Sequence, residues 1–231
     1  MSRSALLDQT SNVVNHLDAD KNIIYTQSQG GALAVGLMFG PLGVLANMKM
    51  VEAKTKADTA LLINKLDVKP RAMFADAAQK AGLVIGTSPQ AARLTPYLYV
   101  SKVGEGRVLV SAALIVEQPS TADKWVGKYM FQTPRAYTLE QLSSLDANGS
   151  RELNQAVATG FSRLVQHLRD EKPGQAEFEK KIVFNSRMLF PVADLELAGS
   201  LVSDETDLVW LRTVGGVYAL RKTDVSYQPA K

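Results

Sequence analysis

Hydrophobic residues recur with two different periods along this chain, and the changes of period predict its secondary structure. Between residues 48 and 82, and again between 138 and 171, they recur every three or four positions, which is typical of amphipathic helices. Between residues 97 and 132, and again beyond residue 180, they alternate or form short apolar runs, as strands do. The pattern therefore predicts an α+β fold.

The helices are predicted from their spacing and from the residues at their ends. Pro70 suits the first turn of a helix, and Gly82 can take the left-handed conformation that ends one. Thr138 and Gln141 have capping-box spacing for a short helix. A longer helix over residues 149–171 is expected to bury a stripe formed by Leu153, Val157, Phe161, Leu164 and Leu168.

Residues 31–48, GALAVGLMFGPLGVLANM, carry no charge in a chain of which 21% is charged. The apolar run is slightly shorter than the roughly 20 residues that a membrane-spanning helix needs, and Pro41 is expected to interrupt it. We therefore expect a bent helical hairpin with Pro41 at the bend. Packing inside the protein, contact with a membrane and an oligomer interface all fit this stretch. The residues expected at a membrane or oligomer interface are Gly36, Phe39, Gly40, Pro41 and Gly43.

The first group of strands is predicted to form a mainly antiparallel sheet of three to four strands. YLYVSKV and RVLVSAALIVEQ flank a GEG turn, and KWVGKYMFQ is a plausible third strand. The second of these is apolar at both odd and even positions, which indicates a central strand covered on both sides.

A second group of strands follows EKPGQ at residues 171–175, which is the best domain boundary in the chain. Four short strands separated by PVAD, SDETD and GG have the spacing of a small closed or partly closed β-barrel. We therefore predict three parts: an N-terminal tether and glycine-rich hairpin (1–56), an α/β domain (57–172) and a small all-β barrel (180–228).

Charge and cysteine content limit the possible partners and compartments. The net charge of +3 comes from 26 basic and 23 acidic residues without a long run of one sign, so nucleic acid is an unlikely partner. The chain has no cysteine, which removes disulfides and thiolate chemistry. Its start lacks the order of a secretory signal, so we expect either a cytoplasmic protein or a mature form whose leader was removed.

No motif in the sequence points to catalysis. The two histidines, His16 and His167, each lack a second ligand type at metal spacing. No nucleophile elbow, phosphate-binding loop or dinucleotide fingerprint is present. We therefore expect a protein that is not an enzyme, with no catalytic residues, no cofactor and no metal.

The segment LAGSLVSDETDLVWLRTVGGVYALRKTDV resembles a small Sm-like or Src-homology-type barrel. It has a glycine before a bent strand, an acidic turn, an apolar strand and a Gly-Gly turn. Barrels of this form are mostly interaction modules, so the resemblance implies binding rather than catalysis. Aromatic and basic side chains of the segment are the candidate partner-binding residues, namely Trp210, Arg212, Tyr218 and Arg221.

From Ala57 to Glu171 the order helix, three strands, helix is similar to the small α/β domains of bacterial envelope lipoproteins that assist transport or assembly. The resemblance implies a non-enzymatic cell-envelope accessory protein in the periplasm or on the periplasmic face of the outer membrane. It would bind envelope proteins, with possible membrane contact and homo-oligomers. The lipobox cysteine of such proteins is absent from this sequence. The alternative is a cytoplasmic binding module for nucleic acid or a small ligand, which would use Arg212, Arg221 and Lys222.

Overall fold

Ten strands and four α-helices make up the part of the chain that the computed structural model describes. That part comprises residues 13–17, 21–27, 32–83, 86, 91–118, 125–172, 174–189 and 195–230, without the side chains of residues 16, 32–47, 105, 118 and 125. The helices are α1 (Ala32–Lys65), α2 (Pro70–Lys80), α3 (Leu139–Ser143) and α4 (Ala147–Asp170). The strands are β1 (Val13–His16), β2 (Ile23–Gln27), β3 (Arg93–Lys102), β4 (Arg107–Gln118), β5 (Trp125–Thr138), β6 (Lys180–Asn185), β7 (Leu197–Asp204), β8 (Leu208–Thr213), β9 (Gly216–Arg221) and β10 (Ser226–Pro229).

All ten strands form one mixed sheet in the order β1-β2-β3-β4-β5-β9-β8-β7-β6-β10. The pairings β2–β3 and β5–β9 are parallel, and the others are antiparallel. The predicted fold class, a three- to four-stranded α/β domain followed by a small barrel, is therefore wrong. The last five strands extend the first sheet instead of closing on themselves. Whether the predicted parts 57–172 and 180–228 fold independently stays a prediction.

The two groups of strands join where β9 lies beside β5. Lys128 donates its backbone N–H to the carbonyl of Gly215 at 2.8 Å, and Gly216 pairs directly with Lys128. A Cβ built on Gly216 would lie 1.7 Å from the carbonyl oxygen of Lys128, and φ of Gly216 is +140°. Only glycine fits this position without strain. The Gly-Gly turn of the predicted barrel hairpin thus also joins the two groups of strands.

Helices α1, α2 and α4 cover one face of the sheet, and their apolar side chains form a single core with it. The predicted stripe of α4 is confirmed over most of its length, because Leu153, Val157, Phe161 and Leu164 are buried in this core and Leu168 lies at its margin. Burial of a stripe at this spacing is the main source of stability for such a helix.

The opposite face of the sheet is covered by the sheet itself. Side chains of β3 to β5 and side chains of β6 to β9 meet there in a second core. The larger members of this core are Tyr97, Tyr99, Ile115, Met130, Ile182, Phe184, Leu211 and Leu220. Strand β4 contributes to both cores, which confirms that it is a central strand covered on both sides.

Several predicted helix ends are confirmed. Pro70 is the first residue of α2, and Gly82 follows the helix with φ of +69°. Thr138 and Gln141 form both hydrogen bonds of the capping box at the start of α3. The order helix, three strands, helix is present between Ala57 and Glu171, although its strands belong to the larger sheet.

The glycine-rich stretch does not form the predicted hairpin. Helix α1 runs without a break from Ala32 through Pro41 to Lys65. A proline inside a helix removes one backbone hydrogen bond and bends the helix, but a reversal of the chain also needs a turn of non-helical residues. The prediction overestimated the effect of one proline among residues that otherwise support a helix.

Candidate functional site

The four residues predicted to bind a partner do not lie on one surface. Trp210 belongs to the helix-covered core and is 3% exposed, whereas Tyr218 lies in the opposite core and is 8% exposed. Burial raises the pKa of Tyr218 to about 12. Arg212 is enclosed by carboxylates, and Arg221 ends strand β9 half-buried. Because successive side chains of a strand point to opposite faces, Trp210 and Tyr218 are separated by the sheet.

Arg212 binds both ends of the segment that follows α4, and we call this group the Arg212 clamp. Its Nε donates to both carboxylate oxygens of Glu179 at 3.0 Å, and its Nη1 donates to Glu171. The side chains of Arg212 and Glu179 are 16% and 5% exposed. Tyr129 donates its hydroxyl to Glu171 at 3.0 Å, and Ser200 donates its hydroxyl to Glu179. The clamp thereby ties Glu171 and Glu179, the two ends of this segment, to β5, β7 and β8.

His167 lies beside the Arg212 clamp and stacks on Trp210 with ring centroids 4.9 Å apart. Its Nε2 is buried and has no hydrogen-bond partner among the described residues. Burial lowers the pKa of His167, and the neighbouring Glu171 opposes this effect without cancelling it. Burial therefore favours the neutral form of His167, which packs against Trp210.

A cleft of about 300 Å³ opens where three turns meet, and we call it the Arg107 cleft. The turns are Gly104–Gly106 between β3 and β4, residues 185–188 after β6, and Lys222–Asp224 between β9 and β10. Arg107 and Arg187 contribute cationic groups to its lining, and Asp224 contributes a carboxylate. Both groups of strands therefore build this cleft.

A buried network orients Arg107. The backbone N–H of Arg221 donates to Gln132 Oε1 at 2.9 Å, and Gln132 Nε2 donates to Asp224 Oδ2 at 2.7 Å. Arg107 Nη2 donates to the other oxygen of Asp224 at 2.7 Å. Gln132 is 1% exposed, so the network is anchored in the interior of strand β5. Polar networks of this kind fix side-chain geometry when all members are paired.

A bulge in β5 lies next to this network. Ser111 pairs with Gln132 and Leu109 pairs with Ala136, so three residues of β5 face one residue of β4. Thr133 donates its hydroxyl to the carbonyl of Val110 at 2.9 Å. This bond replaces part of the backbone hydrogen bonding between β4 and β5 that the bulge interrupts. Bulges often redirect side chains beside functional sites.

Met188 anchors the second turn of the cleft, residues 185–188, to the sheet. Its carbonyl accepts hydrogen bonds from the hydroxyls of Ser101 and Tyr99 at 3.1 and 3.4 Å, and its side chain is fully buried. Hydrogen bonds from β3 therefore hold residues 185–188 in place. The sequence offered only a weak signal for this site, since the GEG turn and the KTDV segment were recognised but assigned to separate domains.

The residues expected at a membrane or oligomer interface fall within the first half of α1. The backbone of Gly36, Gly40, Pro41 and Gly43 is helical there, as is that of Phe39, whose side chain lies outside the described part of the chain. None of the helices in the described ranges combines the length and apolar character needed to cross a membrane. The described residues also contain no cluster of three or more side chains suited to hold a metal ion.

The chain was compared with protein-family models, curated proteins and solved structures, and it significantly matches none of them.

Proposed function

We propose that this is a non-enzymatic accessory protein of the cell envelope, a component of assembly or transport that binds protein partners. In this proposal the first half of α1 attaches it to a membrane surface. The layout of residues 57–171 supports the envelope assignment, because the order helix, three strands, helix, on which the resemblance to envelope lipoproteins rests, is present there. The proposed membrane attachment is inferred from the sequence and geometry of α1.

The observation that carries the proposal is the unbroken helix through the glycine-rich stretch. Residues 32–48 carry no charged side chain, and at 100° per residue their apolar residues occupy every side of the helix. These residues form about 25 Å of helix, which is shorter than the hydrocarbon core of a bilayer at about 30 Å. The segment suits partial insertion or binding along the surface better than crossing.

The second half of α1 is tied to the body of the protein. Gln27 donates to the carbonyl of Val51 at 3.2 Å, and Leu62 is buried in the helix-covered core. Met48 and Met50 are 46% and 65% exposed, and Lys49 between them is exposed as well. Three successive exposed residues span about 200° of a helix. Lys49 and Lys54 would add attraction to anionic lipids.

Liposome flotation of the full chain tests the proposal. We expect the chain to float with vesicles of phosphatidylcholine and phosphatidylglycerol, and less with phosphatidylcholine alone. Phe39→Asp should abolish flotation, because it places a charge in the middle of the inserted segment. The matched control is Leu61→Asp, which adds the same charge at a 38% exposed position in the second half of α1.

Three results would contradict membrane attachment. One is a wild-type chain that stays unbound with both vesicle types. Another is equal flotation of Phe39→Asp and wild type while both have the same urea unfolding midpoint. The last is that neither protein floats and that light scattering gives a lower mass for Phe39→Asp than for the wild type. This result would identify the segment as an oligomer interface.

A second candidate function, a binding module for a small ligand, is favoured by one specific observation. The Arg107 cleft is a preformed concavity with convergent polar groups, as small-molecule sites are.

A further inference from the structure

From the Arg107 cleft we infer a binding site for a small amphipathic anion, a carboxylate joined to a short apolar body. This site is separate from the attachment segment of α1, so the inference does not depend on membrane attachment. It rests on the second candidate function and names the class of ligand for it.

The cationic side of the cleft recognises the carboxylate. Arg107 and Arg187 both line it, and a guanidinium group offers a planar fork of N–H donors that matches a carboxylate. Arg107 is fixed through Asp224, whose two oxygens are already bound by Arg107 and Gln132. Asp224 is 7% exposed, so it acts on the ligand mainly by holding Arg107 in position.

The apolar side of the cleft recognises the body of the ligand. Val103, Leu109, Met188 and Val225 line it. Val103, Leu109 and Met188 are only 5%, 2% and 0% exposed, so the half-buried Val225 offers most of the apolar surface that a ligand can still cover. An alkyl or aryl group would contact this surface, whereas an inorganic anion would not. A volume of about 300 Å³ lies at the lower limit of small-molecule sites, which favours a short ligand over a long lipid chain.

The site is preorganised rather than assembled by the ligand. The network from Arg221 through Gln132 and Asp224 to Arg107 joins the two groups of strands, and Met188 is tied to Ser101. Rigid elements therefore hold both sides of the cleft before a ligand binds, which reduces the entropy lost on binding.

The test is a titration of the full chain with hexanoate, followed through the methyl resonance of Met188 by NMR. Three probes each differ from hexanoate in one property. Hexylammonium carries a positive charge, hexanol carries no charge, and inorganic phosphate has no apolar body. We expect saturable binding of hexanoate, at least about tenfold tighter than each of the other three.

Arg107→Gln should weaken hexanoate binding by about tenfold or more, because a charge-assisted hydrogen bond to the carboxylate is lost. The matched control is Arg135→Gln, an arginine of β5 that pairs with Glu152 outside the cleft. The control should bind hexanoate as the wild type does. An unchanged Met188 methyl shift in ligand-free Arg107→Gln would show that the cleft is intact.

Several results would overturn the inference. Equal binding of hexanoate and hexylammonium would remove the role of the arginines, and equal binding of phosphate and hexanoate would remove the role of the apolar side. An equal loss in Arg107→Gln and Arg135→Gln would show a general charge effect. Should Arg107→Gln fail to fold, wild-type hexanoate affinity that does not fall between 20 mM and 500 mM salt would contradict the inference instead.

Discussion

Two arginines, Arg212 and Arg107, lie near opposite ends of the parallel β5–β9 pairing, and they differ in what surrounds them. Arg212 is 16% exposed and binds two glutamates, whereas Arg107 is 48% exposed and binds one aspartate at the rim of a cleft. Burial lowers the pKa of Arg212, but its hydrogen bonds to Glu171 and Glu179 and their Coulomb attraction outweigh burial, so the pKa is raised. The comparison teaches that Arg212 is enclosed by its carboxylates, although its buried Nη2 has no hydrogen-bond partner among the described residues, while Arg107 faces open volume.

The structural setting explains this difference. The Arg212 clamp binds residues 171–179, which connect α4 to β6, and so it fastens the connection between the two groups of strands. Arg107 lies at the cleft where turns of both groups of strands meet. One hydrogen bond, from its Nη2 to Asp224, holds its side chain there. A charged residue enclosed like Arg212 stabilises the fold, whereas one at an open cleft like Arg107 can also bind a ligand.

The largest effect is expected from Gly216→Ala, which would disrupt the junction between the two arginine sites. The new Cβ would overlap the carbonyl of Lys128 at 1.7 Å, and alanine is strained at a φ of +140°. We expect a loss of about 4 kcal/mol or more in the free energy of unfolding, measured by urea denaturation.

The neighbouring Gly215 supplies the control for that experiment. A Cβ at Gly215 would meet its nearest atom, the hydroxyl of Tyr218, at 3.4 Å. Gly215→Ala should change the free energy of unfolding by less than about 1 kcal/mol. Equal midpoints for the two variants would show that β9 does not approach β5 as described.

Arg212→Gln is expected to have the next largest effect. It leaves Glu171 and Glu179 without their cation, and loss of one partner from a buried ion pair costs about 3 to 5 kcal/mol. Limited proteolysis should also become faster within residues 171–179, where Phe178 is 90% exposed. Arg163→Gln, which breaks an exposed pair with Glu205, should cost about 1 kcal/mol or less. A similar loss in both variants would contradict the structural role of the clamp.

Gln132→Leu tests the network that holds Arg107. It removes the donor to Asp224 and the acceptor of the Arg221 N–H, both of which are largely buried. We expect a loss of about 1 to 3 kcal/mol in the free energy of unfolding, together with weaker hexanoate binding. Unchanged hexanoate affinity in the folded variant would show that Arg107 does not need this support.

The smallest effect concerns pH at the Arg212 clamp. Burial holds the pKa of His167 below its usual value, so the unfolded chain takes up a proton first as the pH falls through about 6.5. The stability contributed by neutral His167 is therefore present above that pH and is lost below it. His167→Phe keeps a ring against Trp210 and should show a smaller fall in unfolding midpoint between pH 7.5 and pH 5. An identical fall in both proteins would show that His167 contributes nothing to the pH dependence.

The sequence predicted the local elements better than their arrangement. Pro70, Gly82 and the capping box of Thr138 act within a few residues, so their signals could be recognised directly. The four predicted strands after residue 180 also exist as β6 to β9. The parallel pairing of Lys128 with Gly216 leaves no such local pattern, because it joins strands far apart in the chain.

The candidate site was harder to predict for the same reason. Arg107 begins β4 just after one turn, Arg187 and Asp224 lie in two other turns that are distant in sequence, and the β5–β9 junction brings the two groups of strands together. Trp210 and Arg212 attracted attention as an aromatic and a basic residue on one strand. Arg212 binds Glu171 and Glu179 in the connection between α4 and β6, and Trp210 stacks on His167 of α4. The spacing of residues along β8 does not indicate these contacts, so the structural roles of Trp210 and Arg212 could not be predicted.

The most direct test of the account measures two quantities, the urea unfolding midpoint and the hexanoate affinity, on Arg107→Gln and Arg212→Gln side by side. The account predicts that Arg107→Gln keeps the midpoint close to that of the wild type and loses hexanoate binding. It predicts that Arg212→Gln has a much lower midpoint, while its folded fraction binds hexanoate as the wild type does. Equal loss of stability in both variants, or equal loss of binding in both, would contradict the distinction between a structural and a ligand-binding arginine.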